Sequence, residues 1–258
     1  MRNSPVMKKR KAINDFFTPI AKHKASTNPK NRVECYGKEE ADCVTAQKTS
    51  VPGLTIQHDF VNHNEEKTII NFLNDPSKCT LRTDLSRRTI HFGGTYCLMP
   101  SKSNASSQAK PQILQAPPMP VEFDWLIQYM VDARIFQDGQ RPQYCIVNEY
   151  IGNLGISAHT ENFQFGEPVV GLSLLSACPI RFHELTEPYD GSVRSGKAGK
   201  ANKTGSVVDV VVPERSLLVM RGESRWKWQH EIVRSVKGRG VRWKRVSLTF
   251  RYKPDDKS

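Results

Sequence analysis

A chain of 258 residues, 38% of them hydrophobic, can bury one large core with a tail, or at most two domains. No apolar run reaches the roughly 18 residues of a membrane span, and the N-terminus lacks a secretory apolar stretch, so an intracellular protein is expected. A formal charge of +12 favours polyanionic partners, nucleic acid above all, and six scattered cysteines without a C-x-x-C pair offer neither a zinc knuckle nor a disulfide framework.

Residues 1–50 carry eleven Lys/Arg against five Asp/Glu and show little apolar periodicity, so a disordered basic tail is expected. Lys8-Lys9-Arg10-Lys11 is a basic run of the nuclear-import kind, which points to the nucleus, with the cytoplasm as a further compartment. Ile13, Phe16 and Phe17 follow it at a spacing that puts them on one face of a helical turn. That segment resembles the peptide that docks on the sliding clamp PCNA, with Arg10 where the leading Gln usually stands. The alternative is that Phe16 and Phe17 fold back onto the domain.

The globular part is expected from Val51 to the C-terminus. Asn64-Glu65-Glu66 before Ile69, Ile70, Phe72 and Leu73 marks a helix start. Residues 80–97 read as two short strands containing Arg87, Arg88, His91, Gly93, Gly94 and Tyr96. Residues 99–120 read as a loop, and 121–136 as an amphipathic helix through Phe123, Ile127, Met130 and Val131. From Gln143 the pattern turns to strands: 144–150, 169–175, 179–182, 207–212, 217–220 and 246–252. Between them, 187–206 reads as a flexible loop with Arg194, Lys197, Lys200 and Lys203. Short strands with turn signals and little helix predict a mainly β (α+β) protein, a sandwich or barrel.

His159-Thr160-Glu161 puts two ligand-type side chains at i and i+2, on one side of an extended segment. His230 is the natural third ligand. Two histidines and a carboxylate are the facial set of non-haem iron oxygenases, which leaves positions open for co-substrate and oxygen. Arg245 and Arg251 are six apart, so a strand turns both to one face with Ser247 and Thr249, while Val246, Leu248 and Phe250 face the other way. Two inward arginines call for anions, and a dicarboxylate is an apt one. The alternative is a strand whose arginines face solvent.

Pro52-Gly53-Leu54…Asp59-Phe60-Val61, Asn148-x-Tyr150, His159-x-Glu161, Ser216–Gly222, Arg225-x-x-Trp228-x-His230 and Arg245–Arg251 occur in an order that resembles the AlkB family of dioxygenases over roughly residues 51–253. The resemblance implies a double-stranded β-helix (jelly roll) core with flanking N-terminal helices. It implies Fe(II) on His159, Glu161 and His230, and 2-oxoglutarate held by Asn148, Tyr150, Arg245, Ser247 and Arg251, with Arg245 on the distal carboxylate. The 87–96 segment would be the nucleotide-recognition lid, with Arg88, His91 and Tyr96 facing the base. Where the family has Asp, this chain has Glu161, longer by one methylene. The implied reaction consumes O2, turns 2-oxoglutarate into succinate and removes an N-methyl group as formaldehyde from a base such as 1-methyladenine or 3-methylcytosine. The base must be single-stranded or flipped out. The 187–206 loop and Lys237, Arg239, Arg242 and Lys244 are candidates to hold the nucleic-acid backbone. DNA is favoured over RNA because of the tail, and a monomer is expected. The alternatives are an RNA, tRNA or histone dioxygenase of the same family, or a clamp-tethered binding module without catalysis.

Overall fold

The computed structural model describes residues 35–36, 44–82, 87–98, 112–137, 139–189, 201–234 and 239–254. In chain order the first elements are β1 (Cys35–Tyr36), β2 (Val44–Lys48), β3 (Leu54–Gln57), α1 (His63–Asn74), β4 (Arg88–Phe92), β5 (Thr95–Leu98), β6 (Gln112–Gln115) and α2 (Asp124–Asp132). Then come β7 (Tyr144–Ile151), β8 (Ile156–His159), β9 (Val169–Leu174), β10 (Cys178–Leu185), β11 (Lys203–Val212), β12 (Ser216–Met220), α3 (Glu223–Trp226), β13 (Trp228–Ile232) and β14 (Lys244–Arg251).

The strands form an eight-stranded sheet in the order β1-β2-β3-β12-β9-β14-β7-β4, a four-stranded sheet β11-β10-β13-β8, and the ribbon β5-β6. All pairings among the described residues are antiparallel. This is the mostly-β jelly roll that the strand pattern and the resemblance predicted.

Alternation along the major sheet builds two cores. On one face, Val170, Leu172, Leu217, Val219, Val246, Leu248 and Phe250 pack with Ile69, Leu73, Phe123, Leu126 and Met130 of the helical side. On the other, Leu54, Ile56, Leu218 and Met220 join Ile180, Phe182, Trp228 and Ile232 of the minor sheet. Helix α1 begins at the N-cap Asn62, two residues before the predicted start. Its side chain accepts from the Asn64 and Glu65 backbone N–H groups, and Glu65 accepts from the Asn62 N–H. Gly53, at φ +80°, makes the turn into β3. A Cβ there would lie 2.0 Å from the Arg221 carbonyl oxygen, so only glycine fits.

Several boundaries differ from expectation. The sheet reaches back to Cys35, because β1 pairs with β2 and β2 with β3 inside the segment read as tail. Residues 112–115 are a strand rather than loop, since they pair with β5. The helix expected over 121–136 is a 3-10 turn followed by α2, and ends at Asp132. β11 begins at Lys203, four residues before the expected strand, as the far arm of a hairpin with β10. Each strand was hidden because its partner supplies the ladder that its own residues do not announce.

Candidate metal centre and co-substrate pocket

The two sheets enclose a cavity of about 380 Å³. Its minor-sheet wall brings His159, Glu161 and His230 together: one ligand atom from each lies within 4.8 Å of the others. The register explains this. His159 ends β8 and stands opposite His230 on β13, which places their rings 4.4 Å apart. Glu161 lies two residues beyond β8, buried at 6% exposure.

His159 and Glu161 are held in a ligating form. His159 Nδ1 donates to the Ser157 carbonyl at 2.9 Å, which leaves Nε2 with its lone pair. Burial, with His230 alongside, pushes the His159 pKa down to about 4, so the ring is neutral at pH 7. Burial would raise the Glu161 carboxyl, but the Arg251 guanidinium and His230 hold it well below the usual range. Arg251 Nε and Nη2 both reach Glu161 Oε2, at 2.7 and 2.6 Å, while Oε1 stays 3.6 Å from His230 Nε2. The extra methylene of Glu161 is thus taken up by the arginine, and the second oxygen faces the histidines.

Arg225 had no assigned role in the sequence beyond its place in a motif. It is 1% exposed and donates to the carbonyls of Glu161, Asn162 and Phe165 at 3.1, 2.6 and 2.9 Å. Those bonds fix the turn that carries Glu161. Its guanidinium stacks on Trp226 at 4.0 Å, and burial pushes its pKa down to about 10, so it stays charged at pH 7.

The major-sheet wall is β7 and β14, paired so that Arg245 faces Tyr150, Ser247 faces Asn148 and Arg251 faces Tyr144. Arg245 is 4% exposed. Its Nε donates to Ser173 Oγ at 2.9 Å, its guanidinium lies 5.7 Å from the Tyr150 ring centroid, and no carboxylate pairs with it among the described residues. An anion is the missing partner. Burial raises the Tyr150 pKa, so its hydroxyl is a donor at neutral pH.

One expected substrate residue faces the wrong way. Arg87, Thr89 and His91 line the cavity, whereas Arg88 points to the opposite face and pairs with Glu149, which Lys244 also holds at 2.5 Å. The period-2 pattern of Arg87-Arg88-Thr89-Ile90-His91-Phe92 carries that signal: Ile90 and Phe92 are core, so Arg88 shares their side. Tyr96 falls within β5, its side chain outside the described residues. The candidates for holding nucleic-acid backbone fare likewise: Lys244 is paired with Glu149, and Arg239 stacks on Trp243 and bonds the Leu154 and Val233 carbonyls. Lys237, Arg194, Lys197, Lys200, the run 8–11, and Ile13, Phe16 and Phe17 lie outside the described residues.

Comparison with known proteins agrees with this chemistry. The profile of the 2OG-Fe(II) oxygenase superfamily matches residues 53–251. The tRNA (carboxymethyluridine(34)-5-O)-methyltransferase ALKBH8 of Mus musculus is 26% identical over 189 residues, 70% of this chain and 24% of that protein. The chain thus spans about a quarter of the length of that relative. The RNA demethylase ALKBH9B of Arabidopsis thaliana is 29% identical over 174 residues, 66% of this chain and 30% of that protein. The structure of OsALKBH1 superposes with a TM-score of 0.52 at 17% identity, over 79% of this chain and 100% of that one, a likeness of fold.

Proposed function

The chain belongs to the 2OG-Fe(II) oxygenase superfamily, an oxidoreductase family that uses iron(II) and 2-oxoglutarate, and on that premise we propose that it removes N-methyl groups oxidatively from bases of nucleic acid. The observation that carries the reading is the pairing of a two-histidine, one-carboxylate set with a buried arginine that has no carboxylate partner among the described residues, in a single cavity.

His159, Glu161 and His230 would hold the iron. Bound there with 2-oxoglutarate and O2, it supplies the oxidising power for attack on a C–H bond. The rest is the work of side chains. Arg245 takes the distal carboxylate of 2-oxoglutarate, with the Tyr150 hydroxyl as second donor. Arg251 keeps Glu161 ionised and fixes which oxygen faces the metal. Arg225 holds the turn behind it. Ser247 and Asn148 lie between the two arginines and orient the co-substrate chain. Leu218, Met220 and Ile180 line the cavity and keep it dry.

Nucleic acid is supported by the net charge of +12 and by the relatives, whose names include an RNA demethylase and a tRNA-modifying enzyme. A further relative, 25% identical over 228 residues, is called an alkylated DNA repair protein ALKBH8 homolog in Arabidopsis thaliana. DNA, expected from the tail, and RNA are therefore the two arms of one test. Protein is incubated with Fe(II), 2-oxoglutarate and oligonucleotides bearing 1-methyladenine or 3-methylcytosine, in DNA and RNA side by side, and the bases are read by mass spectrometry. Methyl loss in either arm, abolished by His159→Ala, is expected. Succinate formation with no methyl loss in any arm would turn the reading toward a protein substrate.

A further inference from the structure

Arg87 immediately precedes β4 and lines the cavity. Its Nε donates to Asn148 Oδ1 at 2.7 Å. A guanidinium has only donors, so the bond fixes the Asn148 amide with its oxygen toward Arg87. It also pins the Arg87 head over the cavity. Among the described residues its remaining N–H groups meet no carboxylate.

The charges of the cavity leave Arg87 over. Three arginines, Arg87, Arg245 and Arg251, line it with a single acid, Glu161. Arg251 is spent on Glu161, and Arg245 awaits the co-substrate. Even loaded with iron(II) and a dianionic co-substrate, the cavity keeps an excess of positive charge. A base such as 1-methyladenine brings another cation, which such a cavity repels unless an anion enters with it.

The two arginines without a carboxylate among the described residues are held by different partners. Arg88 pairs with Glu149 and Arg245 with Tyr150, so Arg87 and Arg245 flank Tyr150 from opposite sides, two strand spacings or roughly 9–10 Å apart at the backbone. Arg245 leans toward Ser173 on β9, and Arg87 toward Asn148 on β7. Their heads are held on different strands.

We propose that Arg87 receives a phosphate of the substrate, one that flanks the base presented to the metal centre. This rests on the nucleic-acid reading above. Arginine matches phosphate with two parallel N–H donors, and the Asn148 bond fixes the fork before substrate arrives. The phosphate offsets the positive charge of both the cavity and the methylated base.

The test is an anaerobic titration of the protein loaded with Mn(II) and 2-oxoglutarate, followed by tryptophan fluorescence. The probes are 1-methyladenosine, its 3′-monophosphate and its 5′-monophosphate. One monophosphate is expected to bind about tenfold tighter than the nucleoside. Arg87→Gln should bind all three alike, and Arg87→Lys should keep part of the preference, with unchanged melting temperatures as the folding control. Equal binding of nucleoside and monophosphates by the unmodified protein overturns the proposal alone and needs no variant. Undiminished discrimination in Arg87→Gln also overturns it, whatever happens to 2-oxoglutarate affinity, because Arg87 would then serve only to set Asn148. Binding of none of the probes overturns the proposal together with the nucleic-acid reading.

Discussion

The two walls of the cavity are built by different means. On the major-sheet wall, β7 and β14 pair over eight consecutive positions, and alternation alone aims Arg245, Ser247 and Arg251. On the minor-sheet wall, β8 has four residues, and Glu161 lies past its end. There the ladder stops and guanidinium groups take its place: Arg251 grips the carboxylate and Arg225 the three carbonyls around it. A regular strand presents one side chain per two residues along a line. Three donors converging on a point need a turn, and a buried turn needs its backbone groups satisfied by something other than a sheet.

The comparison breaks most severely at the ligands. His159→Ala should abolish succinate formation and weaken Mn(II) binding by more than about a hundredfold, beyond what loss of an outer partner costs. Calorimetric titration with Mn(II) reads this directly.

Next come the two arginines, which share a strand and a face but not a role. Arg251→Met strands a buried carboxylate and should cost roughly 3–5 kcal/mol of stability in urea unfolding, with activity lost. Arg245→Met removes an unpaired buried charge. Its stability should hold or rise, while 2-oxoglutarate affinity falls on the order of a hundredfold. Equal destabilisation by both would show that the two walls are held alike.

Glu161→Asp is a smaller perturbation with an instructive sign. Although the shorter acid is the one usual in the resembling family, here it draws the carboxylate back from Arg251 by one methylene. Mn(II) affinity should fall about tenfold, since Arg251 supports the carboxylate as an outer partner. A tighter site would mean that Arg251 follows the shorter chain.

The smallest effect concerns acidity. His159 stays neutral in the fold down to a pKa of about 4, whereas the unfolded chain takes up the proton near 6.5. Stability of metal-free protein is therefore complete above pH 6.5 and falls as pH drops toward 4. Glu161, held down by Arg251 and His230 against the effect of burial, adds a further loss below 4.5. Thermal melts across that window should show a shallower decline for His159→Gln than for the unmodified chain.

Much of the major-sheet wall was legible in the sequence. Val246, Leu248 and Phe250 against Arg245, Ser247 and Arg251 is a period-2 pattern that needs no partner to be read. The metal set was legible as spacing, His159-x-Glu161, but its third member came from order along the chain rather than from any local signal. β8 and β13 were missed as strands because they are four and five residues long, with polar ligands where apolar residues would mark a strand. Arg225 was hidden for a related reason. Its partners are backbone carbonyls, which every residue has, so no complementary side chain points to it. Arg88 was misplaced where the pattern itself held the answer in Ile90 and Phe92.

Strand β14 has a consequence for how such a protein can change over generations. It is flanked on both sides, by β7 and β9, and its two faces serve the pocket and the core at once. Losing a single residue from it would send the arginines into the core and Phe250 into the pocket. The choice of co-substrate is thereby welded to the ability to fold. β4 lies at the border of the sheet, with the β7 ladder on one side and, among the described residues, a single bridge from Thr89 to Arg82 on the other, so its pocket-facing residues can be exchanged without unmaking a second ladder. Descendants of this chain can take up new substrates far more readily than a new oxidant.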